Sequence, residues 1–153
     1  MRRRMKQLRL IPGLHRATHR VGLELQASRP PLGVTQGEAH LLAHLAAAGP
    51  STVAELHAAF AHRRSTLTGI LDRLEARRLA TRELWPDDRR SFRVSLTRKG
   101  RGLAARVHRA LRALEARVQA RVGPADLSGF EAVVQAIQAA THGAASRRAP
   151  KAR

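Results

Sequence analysis

The chain of 153 residues contains no cysteine, so disulfides, thiolate metal sites and thiol redox switches are all excluded. It has no tyrosine, one tryptophan and three phenylalanines. That leaves few rings on which single-stranded bases could stack, which disfavours an RNA-binding reading. Acidic residues are scarce too: 11 Asp and Glu stand against 29 Lys and Arg, for a net charge of +18. Also missing is any apolar run near the roughly 20 residues needed to span a bilayer. The start, Met1-Arg2-Arg3-Arg4-Met5-Lys6, is basic like the front of a signal peptide, but charged amphipathic sequence follows where an apolar stretch would be needed. The chain reads as cytoplasmic with no membrane partner. It shows no nucleophile–base pair, phosphate loop or carboxylate dyad, so it is not read as an enzyme and no cofactor is expected.

What is present in excess is arginine. Such a balance favours a polyanionic partner, because each neutralised phosphate releases condensed counterions. The bias of a GC-rich genome toward Arg and Ala is the competing explanation, and charge alone does not separate DNA from RNA or a membrane surface. Position along the chain has to decide.

Leu8, Ile11, Leu14, Thr18, Val21 and Leu25 recur at helical spacing. Pro12-Gly13 kinks this helix or delays its start, and Arg29-Pro30-Pro31 ends it. Thr35-Gln36-Gly37-Glu38 is a capping box. The helix it opens carries Leu41, Leu42 and Leu45 inward and stops at Gly49-Pro50. A second capping box, Thr52 with Glu55, opens a short helix from Val53 to about Phe60. After a tight link a third helix runs from about Arg64 to Arg77 with the stripe Leu67, Ile70, Leu71 and Leu74. Two short helices, the second basic at its start, outline a helix-turn-helix.

The period then changes from helical to alternating. Residues 79–85 and 92–96 read as strands around a polar turn, Pro86 to Ser91. This is a hairpin wing with a charged tip. From Thr97 the helical period returns: Leu103, Val107, Leu111, Leu114, Val118 and Val122 form one stripe, which Gly123-Pro124 breaks. A last helix is expected to bury Leu127, Phe130, Val133, Val134 and Ile137. The terminal helices carry more apolar surface than a winged lobe needs, and a second copy would bury the surplus. The fold class is therefore mainly α with a small β-hairpin: a winged helix-turn-helix with N- and C-terminal dimerisation helices. Its expected parts are a lobe over 34–100, arms over 6–28 and 101–142, and a basic disordered tail over 143–153.

Residues 34–103 resemble the MarR (multiple-antibiotic-resistance regulator) family of bacterial transcription factors. The resemblance rests on Ser65-Thr66-Leu67-Thr68-Gly69-Ile70-Leu71-Asp72-Arg73-Leu74-Glu75, then Pro86-Asp87-Asp88-Arg89-Arg90-Ser91, then Val94-Ser95-Leu96-Thr97-Arg98-Lys99-Gly100. It implies a homodimer on a pseudo-palindromic duplex operator, acting as a repressor released by a small ligand. A constitutive or architectural DNA-binder without an effector is the alternative. In physical terms the start of the third helix offers Arg63, Arg64, Ser65, Thr66 and Thr68 to base edges, and Arg73 one turn on would reach a phosphate. Gly69 thins that face for close approach. At the wing tip the resemblance implies that Asp88 orients Arg90 for minor-groove insertion, while Arg89 meets a phosphate.

Two positions depart from the family's pattern. Arg78 stands where a glycine is usual, and His57 where a small alanine is usual. A left-handed conformation at Arg78 would cost about 1 kcal/mol. Thr97 reads as the cap of the long helix, and Trp85 as wing packing rather than a ligand-stacking ring. His15 with His19, and His40 with His44, have i, i+4 spacing that can present two imidazoles to zinc, yet carboxylates near them are few. No metal site is assigned. Packed or solvated roles, or an organic-anion effector held by Arg16, Arg20, His40 and His44, are the other readings.

Overall fold

The fold was obtained as a computed structural model that describes residues 8–60, 63–85 and 88–146, with the side chains of 88–91 and 142–146 outside the description. Among the described residues are six helices and three strands, and the helices and the hairpin follow the sequence patterns. The first helix, α1, spans Ile11–Gln26, so Pro12 falls in its first turn, where its missing N–H costs nothing. Helix α2 spans Gln36–Ala48 and opens on the capping box: Thr35 Oγ1 accepts from the Glu38 amide at 3.3 Å, and Glu38 accepts from the Thr35 amide at 3.0 Å. It closes on Gly49, whose φ of 80° lies in the region glycine adopts without a Cβ penalty.

Ser51–Thr52 form a short strand, β1, which the sequence did not announce. Helix α3, Val53–Phe60, follows at once, with the second box intact: Glu55 accepts from the Thr52 amide at 2.6 Å and Thr52 Oγ1 accepts from the Glu55 amide at 3.2 Å. Helix α4 spans Arg64–Ala76. Strands β2, Ala80–Trp85, and β3, Asp88–Leu96, form the hairpin, and the sheet order is β1-β3-β2, all antiparallel. Helix α5 spans Arg98–Gln119 and α6 spans Pro124–Ser146.

The chain divides into two units, Met1–Arg112 and Ala113–Arg153, with the boundary inside α5. The first unit holds the core. Leu41, Leu42, Leu56, Leu67, Leu71, Leu74, Leu79, Val94 and Val107 are fully buried there, drawn from α2, α3, α4, the sheet and α5. The stripe expected on α4 is buried at every position. Gly100 in the first turn of α5 is demanded by packing, because a Cβ there would sit 1.8 Å from the Leu79 carbonyl oxygen. Thr97 caps that turn, its Oγ1 accepting from the Gly100 amide at 3.0 Å.

The second unit corrects one expectation. Leu127, Phe130 and Val133 of α6 are exposed in the single chain at 37%, 59% and 37%, and Val118 and Val122 are exposed as well. Within one chain that unit has too few elements to cover both faces of its helices.

Candidate nucleic-acid interface

Helix α4 is held by its apolar stripe, so the opposite face and the first turn are free to meet a partner. Arg63, Arg64, Ser65, Thr66 and Thr68 are all exposed, interleaved with buried Leu67 and Ile70. The N-cap is Arg63, which makes no side-chain capping bond, and no acidic residue stands in the first turn. The contrast with α2 and α3, each closed by a capping box, is chemical. Among the described residues no N-cap side chain takes up the first amides of α4, which lie beside two guanidinium groups and three hydroxyls, an arrangement suited to phosphate and to guanine acceptors.

Arg73 is placed differently from a free phosphate ligand. Its Nε donates to Glu38 Oε1 at 2.8 Å, and Arg77 reaches the other oxygen, Oε2, at 3.5 Å. The Glu38 side chain is only 4% exposed, whereas that of Arg73 remains 55% exposed. Burial pushes the Glu38 carboxyl up. The hydrogen bonds from Arg73 and the Thr35 amide, with the charges of Arg73 and Arg77, outweigh that push and hold it below the usual carboxylate value. One carboxylate thus caps α2 and pins α4 to it. A Cβ at Gly69 would make only an ordinary contact, 3.5 Å from Arg73 Nη1, so internal packing does not require glycine on this face.

The wing is anchored to α4 by Arg82 of β2. Its Nε donates to Glu75 Oε2 at 2.6 Å, and its Nη2 pairs with Asp72. Sequence reasoning missed this tie. The signal was Asp72 and Glu75 three apart on one helix face, with an arginine on the next strand. Strand β3 starts at Asp88, paired with Trp85 across a bulge, so the turn is shorter than the Pro86–Ser91 expected. The side chains of Asp88, Arg89 and Arg90 lie outside the described residues. Toward the tip end of the wing the Arg93 guanidinium lies over the Trp85 ring, 4.2 Å from its centroid. Trp85 therefore packs within the wing.

The histidines and the arginines of α1 are dispersed. Arg16, Arg20, His15, His19 and His40 are exposed, while His44 packs edge-on to Phe60 with ring centroids 5.2 Å apart. Among the described residues no group of three or more His, Asp or Glu side chains is placed to hold a metal ion. His57 is half-buried on α3.

Comparison with known proteins bears on this lobe directly. The model of the MarR family matches residues 32–91, from the approach to α2 through the hairpin turn. Residues 32–91 form a lobe of the MarR family of DNA-binding transcription regulators. Solved structures share the fold over more than this stretch. The S. aureus MepR–DNA complex superposes with a TM-score of 0.76 at 17% identity, covering 88% of this chain and 99% of that one. A mutant E. coli MarR complexed with operator DNA gives 0.69 at 22% identity, covering 84% and 94%. Bordetella bronchiseptica BpsR, whose DNA binding is regulated by 6-hydroxynicotinic acid, gives 0.67 at 23% identity, covering 85% and 99%. No curated protein matches the chain in sequence. The MarR lobe is thus the element that organises α2, α3, α4 and the wing, and no helix among the described residues is long and apolar enough to cross a membrane.

Proposed function

We propose that this chain acts as a homodimeric repressor that grips a pseudo-palindromic operator and lets go when a small ligand binds. The observation that carries the DNA contact is the first turn of α4: five exposed basic or hydroxyl residues at an uncapped helix start, above a fully buried stripe. Arg64 is assigned to base edges and Arg63, Ser65, Thr66 and Thr68 to bases or phosphates. Arg90 at the wing tip is assigned to the minor groove, oriented by Asp88, and Arg89 to a phosphate. Arg73 contacts a phosphate only with the guanidinium nitrogens that Glu38 leaves to it. The bare apolar faces of α6 and of the end of α5 support a second copy as partner. MepR and MarR were each solved on DNA, and regulation of BpsR by a small acid supports an effector here.

Selection of bound sequences from random duplexes, followed by titration of Arg64→Ala and Arg90→Ala, tests this reading. A palindromic site is expected. Arg90→Ala should weaken operator binding strongly with the dimer intact, and Arg64→Ala should relax sequence preference more than bulk affinity. An operator preference below about 10³-fold over bulk DNA would favour an architectural binder instead.

A further inference from the structure

Within the first unit a groove of about 680 Å³ opens between the C-terminal end of α2, the end of β3 and the first turns of α5. Its size is that of a small-molecule site. Leu45, Pro50, Leu96 and Ala105 give it aliphatic walls, and its lining includes no Phe, Tyr or Trp. The ionisable side chains on its lining are all of basic type, Arg101, His108 and Arg109, with no carboxylate among the lining residues. Arg101 is spent on structure, its Nη1 donating to the Leu96 carbonyl at 2.8 Å. Arg109 is exposed and, among the described residues, has no hydrogen-bond or ion-pair partner. None of Arg16, Arg20, His40 and His44 lines this groove, so it is a separate place from the anion site read from the sequence.

We infer that this groove binds a hydrophobic monocarboxylate, its aliphatic body against Leu45, Pro50, Leu96 and Ala105 and its carboxylate on Arg109. Walls of Leu, Pro and Ala, with no Phe, Tyr or Trp beside them, favour an aliphatic body over one that needs stacking. A planar guanidinium with free donors is the group best suited to fork onto a carboxylate. The location also gives binding a consequence. Pro50 leads directly into β1, whose Ser51 and Thr52 pair with Val94 and Arg93, and Ser95 and Leu96 at the end of β3 line the groove. An occupant therefore touches both the entry to α3 and the base of the wing. This consequence rests on the proposed ligand-released repressor; the binding itself does not.

Calorimetric titration of the full chain with octanoate, octanamide and butyrate separates the two. Octanoate should saturate one site per chain, while the neutral amide and the short acid bind at least tenfold more weakly. Arg109→Ala should cost octanoate about tenfold, the scale of one charge-assisted hydrogen bond, and leave octanamide unchanged. Ala105→Phe, at an exposed position of the groove wall, should remove octanoate binding. Equal affinity for octanoate and octanamide overturns the inference, as does octanoate binding unchanged in Arg109→Ala. Should Ala105→Phe fail to fold by circular dichroism, Arg109→Ala decides alone. Duplex binding is measured in parallel. Octanoate binding without any change in duplex affinity keeps the site and discards its regulatory role; a chain that binds no duplex fails the functional reading and leaves the groove untouched.

Discussion

Helices α4 and α6 carry apolar residues at the same spacing and meet opposite surroundings. On α4, Leu67, Ile70, Leu71 and Leu74 are 1%, 4%, 1% and 0% exposed. On α6, Leu127, Phe130 and Val133 are 37%, 59% and 37% exposed. A helical period fixes that a helix forms and which way its apolar face points. It says nothing about whether the covering surface lies in the same chain. The buried stripe is fold; the bare one is the face on which the proposed second copy would sit.

The sharpest way to break this contrast is to truncate both stripes. Leu71→Ala should destabilise the first unit by about 2–5 kcal/mol, the range for emptying a well-packed leucine site. Phe130→Ala should leave the denaturation of the MarR lobe nearly unchanged. Urea titrations followed by Trp85 fluorescence read the lobe alone, and comparable losses from the two variants would erase the distinction.

Next in size is the effect of charge on the bare face. Phe130→Asp should convert the chain to a monomer in sedimentation at micromolar concentration. Operator affinity should fall on the order of 100-fold, because two linked lobes gain from effective concentration and one does not. A variant that stays dimeric would place the subunit contact elsewhere.

A smaller effect tests how α4 is held from its polar side. Glu38→Gln should cost about 1–2 kcal/mol at neutral pH, modest because Arg73 and Arg77 are substantially exposed. The sign with pH follows from the carboxyl being held below its ordinary value. That stabilisation is complete above the unfolded carboxyl's titration and is lost as pH falls through the folded value. The gap between wild type and variant should therefore close on acidification. A gap that is constant with pH would mean shape, not charge, is what Glu38 supplies.

The features legible in the sequence were those with local causes. Both capping boxes join residues three apart, and the α4 stripe and the hairpin announce themselves by period. What the sequence hid was long-range. Strand β1 is two residues whose partners, Val94 and Arg93, lie some 40 positions on. Arg73 was assigned to phosphate because nothing local competes for it, while its carboxylate stands 35 residues earlier on α2. Arg82 escaped notice because its partners sit on a different element. Strand β3 takes in Asp88 to Ser91, polar residues whose composition reads as a turn. Of the proposed DNA contacts, the turn of α4 was legible because exposure there is the complement of a buried stripe.

The smallest expected effect concerns how α4 ends. The Arg78 amide donates to the Glu75 carbonyl at 2.8 Å, and the Leu79 amide reaches back to the Leu74 carbonyl at 2.8 Å. This is a Schellman closure, and its usual apolar contact is supplied by Leu74 and Leu79, both buried. The residue at its turn, Arg78, has a φ of 56°, where a Cβ is penalised. The strain anticipated from the departure at this position is therefore accepted rather than avoided. Arg78→Gly should stabilise the chain by about 0.5–1 kcal/mol, the Cβ penalty relieved less the extra backbone entropy of glycine. Arg78→Ala keeps the Cβ and should be close to neutral. Thermal melting distinguishes them: the glycine variant should melt a few degrees higher. If alanine stabilises as much as glycine, the cost at this position comes from the arginine's charge among its basic neighbours and not from the backbone.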